Sequence, residues 1–273
     1  MKLRSSRILR ELRAGQCPTV LKLNLIDPRV VELAGLAGAS AVWLCNEHVP
    51  NDWLNLEHMI RAAKLYDMDT IVRVAKGSYS EYVKPFEADA TAIMVPHVAS
   101  AEEARHIVEM TRFHPLGRRP IDGGNMDGVY CQVPYPEYID HSNRERLVIL
   151  QIESPEALAK VEEIAAVPGY DALLFGPGDY SHLIGKVAQV KLPEVVAARK
   201  RVAAVARKHG KYVVTAGLLD TREALEAEGV SIFTLGADVI GVGEYFKQLI
   251  TGFNKTAPAA KKTAARHDKV SHV

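Results

Sequence analysis

The chain has 273 residues, 48% hydrophobic and 25% charged, which suits one large α/β domain or two modest ones with a buried core. Its formal net charge of +1 gives no basic field for nucleic acid and no acidic tail. Three separated cysteines (Cys17, Cys45, Cys131) without a CxxC argue against a disulfide framework or a structural zinc site. The N-terminal "MKLRSSRILRELRAG" is charged throughout, unlike a signal peptide, and forms a predicted N-terminal helix. No apolar run reaches the ~18 residues of a membrane helix. A cytoplasmic protein with no membrane partner is expected.

From there β-rich runs alternate with helical patterns. "VLKLNL" (20–25) leads to "PRVVELAGLAG", with Pro28 at a helix start. "AVWLCNE" (41–47) leads to "NLEHMIRAAKLYD", where Leu56, Met59, Ile60 and Ala63 fall at helical spacing. "TIVRVAK" (70–76) precedes "SEYVKPFEADA". "AIMVPHV" (92–98) precedes "SAEEARHIVEMTRF", with Ser100 and Glu103 in a capping-box pattern. After a polar stretch of about thirty residues (114–143), "LVILQIE" (147–153) enters "SPEALAKVEEIAAV", with Ser154 as N-cap and Pro155 at N1. "ALLFGPGD" (172–179), "YVVTAG" (212–217) and "SIFTLGAD" (231–238) each precede a further helix, the last being "GEYFKQLITGFNK". Eight β-then-α units predict a (β/α)8 TIM barrel over 1–255, followed by a disordered tail, 256–273. A doubly wound open sheet is the competing topology.

In a barrel, chemistry gathers where strands end at the C-terminal face. Glu47 and His48 close strand two, Arg73 lies near the end of strand three, Gln151 and Glu153 close strand five, and Gly176–Asp179 close strand six. Each has a plainer reading. Glu153 suits the first turn of a helix, "GPGD" suits a tight turn, Arg73 suits a structural ion pair, and a lone histidine is commonly part of the packing. Strand alternation prevents Cys45 to His48 from all facing one ion. Glu153 and Asp179, on adjacent strands, would repel unless a hard divalent cation such as Mg²⁺ or Mn²⁺ lay between them. Gly178 would let a ligand approach the backbone, and Arg73 offers a fork of donors for a carboxylate or enolate.

"KLN", "DPRVVELAGLAG", "VWLCNEH", "VRV", "IMVPHVASAEEAR", "HPLGRRP", "LVILQIESPEAL", "VPGYDALLFGPGDYS" and "LGAD", spread over roughly residues 8 to 250, resemble the HpcH/HpaI class II pyruvate aldolases. The resemblance implies a metal-dependent lyase that cleaves or forms a 4-hydroxy-2-keto acid, of the 2-keto-3-deoxy type, from pyruvate and an aldehyde through an enolate. It implies metal ligands at Glu153 and Asp179, with Mg²⁺, Mn²⁺ or Co²⁺ as the ion. Gln151 would lie beside the metal, the Gly178 and Asp179 amides would hold the pyruvate carboxylate, and Arg73 would stabilise the enolate. His48 would move a proton, and Glu87 aligns with the carboxylate that orients it. A homo-oligomer, hexamer or trimer, is implied, with the last helix on a neighbouring subunit. The chain departs from the pattern where Cys45 replaces an aspartate, Asp89 a glycine and Pro120 a glycine, and where "IDGGNMDGVYC" replaces an arginine-rich stretch. These departures are read as a remodelled active-site rim.

Three other readings stand beside this one. A class I aldolase would use a Schiff-base lysine, for which Lys22 and Lys76 are the placed candidates. A related lyase would act on a CoA thioester, and a catalytically silent barrel would bind 2-keto acids. "GPGDYSHLIGK" lacks the spacing and Ser/Thr of a P-loop.

Overall fold

The computed structural model describes residues 3–217 and 220–255; the tail expected at 256–273 lies outside them. In chain order the elements are α1 (Arg7–Arg13), β1 (Thr19–Leu23), α2 (Pro28–Leu36), β2 (Ala41–Cys45), α3 (Trp53–Lys64), β3 (Asp69–Arg73), α4 (Tyr79–Glu87), β4 (Ala92–Val95), α5 (Ala101–Thr111), a 3-10 turn (Met126–Gly128) and α6 (Tyr135–Glu145). They continue with β5 (Leu147–Ile152), α7 (Pro155–Ala159), α8 (Val161–Ala165), β6 (Ala172–Phe175), α9 (Pro177–Leu183), α10 (Pro193–Lys208), β7 (Tyr212–Val214), α11 (Arg222–Glu228), β8 (Phe233–Ala237) and α12 (Asp238–Lys255).

All strand pairs are parallel; from β1 to β7 each strand pairs with the next in sequence, and β1 also pairs β8. Among the described residues β7 and β8 form no continuous ladder and are joined by the Val214–Ile232 bridge and flanking bonds, Thr215 N–H to the Ile232 carbonyl and Thr234 N–H to the Thr215 hydroxyl, both at 3.0 Å. The result is a nearly closed barrel. A doubly wound sheet would reverse its strand order, so the open-sheet alternative falls. The barrel unit ends at Asp238. From Val239, α12 belongs to a second unit and carries Ile240, Phe246, Leu249, Ile250 and Phe253. No helix among the described residues is long and apolar enough to cross a membrane.

Side-chain alternation splits the core in two. One apolar cluster, including Val42, Leu44, Val72, Ile93, Leu150 and Leu173, lies between strands and helices. The other fills the barrel with Val20, Trp43, Ile71, Met94, Ile149 and Leu174, and α1 adds Ile8 and Leu9. Asp69, fully buried at the start of β3, holds α1 there: it accepts from Arg4 at 2.7 Å, the Ser6 hydroxyl at 2.7 Å and the Ile8 amide at 2.9 Å. α1 thus stoppers the N-terminal face. On β3, Asp69, Ile71 and Arg73 face inward in successive layers, so the layer above the apolar fill is free to be polar.

Four details differ from the sequence reading. The polar stretch 114–143 contains a 3-10 turn and most of α6, held by buried Arg119, which binds Asp127 at 2.7 Å while the Tyr138 hydroxyl donates to the same oxygen at 2.6 Å. The helix expected over 154–167 breaks at Lys160 into α7 and α8. "GPGD" is not a free turn, because Pro177 starts α9. Asp89 is not on the active-site rim: it precedes β4 at the opposite face, with φ +72, and binds Lys64 and Arg146. The left-handed backbone accounts for glycine being usual there.

Candidate active site

The polar layer assembles at the C-terminal ends of strands whose inward middle layer is largely apolar. Cys45 and Arg73 are register partners at the ends of β2 and β3. Arg73 is buried; one guanidinium nitrogen lies 3.0 Å from the Cys45 sulfur, and Nε lies 2.9 Å from Glu47 Oε2. That second approach is off the hydrogen-bond direction, so Glu47 Oε2 and Arg73 Nε both keep unused bonding capacity although buried. The Cys45 sulfur also lies 3.4 Å from the His48 amide.

Glu47 is the hub of this face. Besides Arg73, it has His48 Nε2 at 3.6 Å and His97 Nε2 at 3.5 Å. His97, in the β4–α5 connection, turns its other ring nitrogen to Glu153 at 3.3 Å, and its amide donates to Glu153 at 2.7 Å. Its backbone is left-handed, φ +52, and its carbonyl accepts from Lys76 at 2.6 Å. Lys76 is itself paired with Glu103 at 2.6 Å, and Glu103 accepts from the Ala99 amide at 2.9 Å. Glu103, in the first turn of α5, therefore braces the loop that presents His97.

Glu153 is buried and takes a hydrogen bond from Gln151 at 3.0 Å, leaving the Gln151 carbonyl oxygen without a donor. A Cβ on Gly176 would stand 2.7 Å from the Glu153 Cβ, so only glycine lets β6 pass this close. Burial pushes the Glu153 carboxyl above its usual range; His97 opposes this, whereas the charges of Asp179 and Glu47 add to it. Asp179 is exposed in the first turn of α9, and a Cβ on Gly178 would meet no protein atom within 4 Å.

Three carboxylates, Glu47, Glu153 and Asp179, thus lie close enough for Glu47 and Asp179 to act on Glu153, and of the three Glu47 pairs with Arg73. Excess negative charge, hard oxygen donors and an orphaned amide oxygen fit a divalent cation of the Mg²⁺ or Mn²⁺ kind. Among the described residues, no three His, Cys, Asp or Glu side chains already form a complete cage. Glu153 and Asp179 would hold the ion together with oxygens from water or substrate.

The chain as a whole resembles known proteins. The model of the HpcH/HpaI aldolase/citrate lyase family matches residues 19–242. The chain belongs to that family. It is 30% identical over 269 residues to a hydroxypyruvate/pyruvate aldolase of Pseudomonas aeruginosa, covering 97% of this chain and 99% of that one. It is 31% identical over 238 residues to a 5-keto-4-deoxy-D-glucarate aldolase of Klebsiella pneumoniae, covering 87% and 90%. The crystal structure of an HpcH/HpaI aldolase from Desulfitobacterium hafniense superposes with a TM-score of 0.85 at 25% identity, covering 92% of this chain and 97% of the other.

Of the residues that the HpcH/HpaI pattern marks, Arg73, Gln151 and Glu153 come together at one face with Glu47, and His48 stands exposed beside it. Asp179 acts on Glu153 electrostatically. Glu87 is not brought to this cluster within one chain. It ends α4, where burial raises its carboxyl and its charged neighbours are Arg119, Asp127, Asp122 and Lys84. His97 was missed by the sequence reading, which treated "VPHV" as a strand end. The available signal was a histidine directly after a proline that closes a strand, the same logic that singled out His48.

Proposed function

We propose that the strand-end cluster catalyses reversible aldol cleavage of a 4-hydroxy-2-keto acid, of the 2-keto-3-deoxy type, to pyruvate and an aldehyde. The family makes the chain a carbon–carbon lyase. The observation that carries the reading is the grouping of Glu47, Glu153 and Asp179 at the face that also holds Arg73, where the substrate oxygens would be bound.

Cleavage breaks the C3–C4 bond. Its electron pair passes to C3 and the C2 oxygen, the C4 hydroxyl loses its proton as the aldehyde forms, and a proton added at C3 completes pyruvate. Glu153 and Asp179 would hold the divalent ion, with Gln151 beside them. Such an ion supplies positive charge to the C1 and C2 oxygens of a 2-keto acid. Arg73 adds a second positive charge where the C2 oxygen becomes anionic, and its unused Nε is a donor available for that oxygen. The Gly178 and Asp179 amides, in the first turn of α9 where no intrahelical acceptor precedes them, would hold the C1 carboxylate. His48 is the base for the C4 hydroxyl: it is exposed to the mouth and has Glu47 beside Nε2 to orient it.

The test is pyruvate release from a panel of 2-keto-3-deoxy acids. Release that stops with chelator and returns with Mg²⁺ or Mn²⁺ is expected. Chelator-resistant release, with pyruvate trapped on a lysine by borohydride, would replace this reading with a Schiff-base mechanism.

A further inference from the structure

The β1 side of the mouth carries a cation that the reaction above does not use. Lys22 is the register partner of Trp43 across β1 and β2, and both side chains turn into the barrel. Lys22 Nζ lies 5.4 Å from the centre of the Trp43 indole, and Arg73 Cζ lies 5.0 Å from the same centre. Two cations thus share one ring, whose electron-rich face offsets part of their repulsion. Trp43 Nε1 is buried with no acceptor.

The anions near Lys22 are committed elsewhere. Asp238 accepts from the Asn24 and Leu25 amides at 2.8 and 2.9 Å, tying the ends of β1 and β8. Glu47 is engaged with Arg73 and two histidines. Among the described residues Lys22 has no hydrogen bond or ion pair, its one close partner being the indole. Burial and Arg73 push its ammonium below the usual range, against the pull of Cys45, Asp238 and Glu47. An anion arriving beside it would reverse that push and gain more than at a cation already paired.

Topology says which part of a substrate arrives there. In an eight-stranded barrel with strands in sequence order, β1 lies across from β5. A keto acid held by its C1–C2 end at β5 and β6 extends its far end toward β1 and β2. We propose that Lys22 is a specificity-determining residue that binds a terminal anionic group, a carboxylate or sulfonate, at the far end of the 2-keto acid. This rests on the aldolase reading.

The test compares wild type, Lys22→Met and Lys22→Arg on two 2-keto-3-deoxy acids of equal chain length, one ending in a carboxylate and the other in a primary alcohol. Lys22→Met should lower kcat/KM for the carboxylate-ended acid ~30-fold, mostly through KM, as loss of a charge-assisted hydrogen bond implies. The alcohol-ended acid should lose at least tenfold less, and Lys22→Arg should recover most of the anion preference. Equal losses on both acids, or trapping of pyruvate on Lys22 by borohydride, would overturn the proposal. If wild type releases pyruvate from neither acid, the aldolase reading itself fails and the proposal falls with it.

Discussion

The two ends of the barrel handle buried charge in opposite ways. At the N-terminal face each buried carboxylate is matched: Asp69 with Arg4 and two further donors, Asp89 with Lys64 and Arg146, and Glu145 with Arg13 and the Ser6 amide. At the C-terminal face Glu47 pairs with Arg73 while Asp179 and Glu47 both add negative charge at Glu153, and Glu47 Oε2, Arg73 Nε and the Gln151 carbonyl oxygen are buried without a hydrogen bond. Unmatched polar groups cost stability when buried. At the first end the carboxylates are neutralised and the buried atoms left without a hydrogen bond, Arg4 Nε and an Arg146 terminal nitrogen, are donors; at the second, carboxylate and amide oxygens are left open as well, which suits an incoming cation. The same inward alternation of β3 supplies both ends, Asp69 at the bottom and Arg73 at the top, with Ile71 between.

Substitutions on that one strand can break the comparison. Asp69→Ala strips Arg4, Ser6 and Ile8 of their acceptor and should destabilise the chain by about 3–5 kcal/mol in denaturant unfolding. Its turnover per folded molecule should stay near wild type, and a large loss of turnover at unchanged stability would dissolve the distinction between the ends. Arg73→Lys keeps a positive charge but loses the fork that reaches both Cys45 and Glu47. Turnover should fall by ~100-fold or more, the loss seen when one oxyanion donor is removed, with a smaller change in unfolding free energy. Full turnover in Arg73→Lys would leave the guanidinium a structural part after all.

The barrel was legible because its signals are local and repeated: eight apolar runs, each followed by a helical pattern. The caps at Ser100 and Ser154 formed as their spacing implies, with Glu103 N–H and Ala157 N–H donating to the serine hydroxyls at 3.2 and 3.1 Å. Arg73, Gln151 and Glu153 were legible because polar residues ending apolar strands have few reasons to be there. The role of Glu47 as a hub was not legible, since it depends on His97 arriving from another strand. His97 itself depends on a left-handed backbone that sequence periodicity does not encode. Asp89 misled for a related reason: its departure from glycine changes a backbone position at the far face, and alignment alone gives no depth along the barrel. Cys45 was read as a departure from the family pattern, and it places a sulfur 3.0 Å from the buried Arg73 where a carboxylate is usual.

The central claim is that the carboxylates ending β5 and following β6 take a divalent cation. Titration of Mn²⁺ into the chain, followed by calorimetry and by the loss of the free-ion electron paramagnetic resonance signal, tests it without reference to activity. One ion per chain is expected for wild type, with binding lost in Glu153→Gln and Asp179→Asn while both variants remain folded. Undiminished Mn²⁺ binding in both variants would contradict the account.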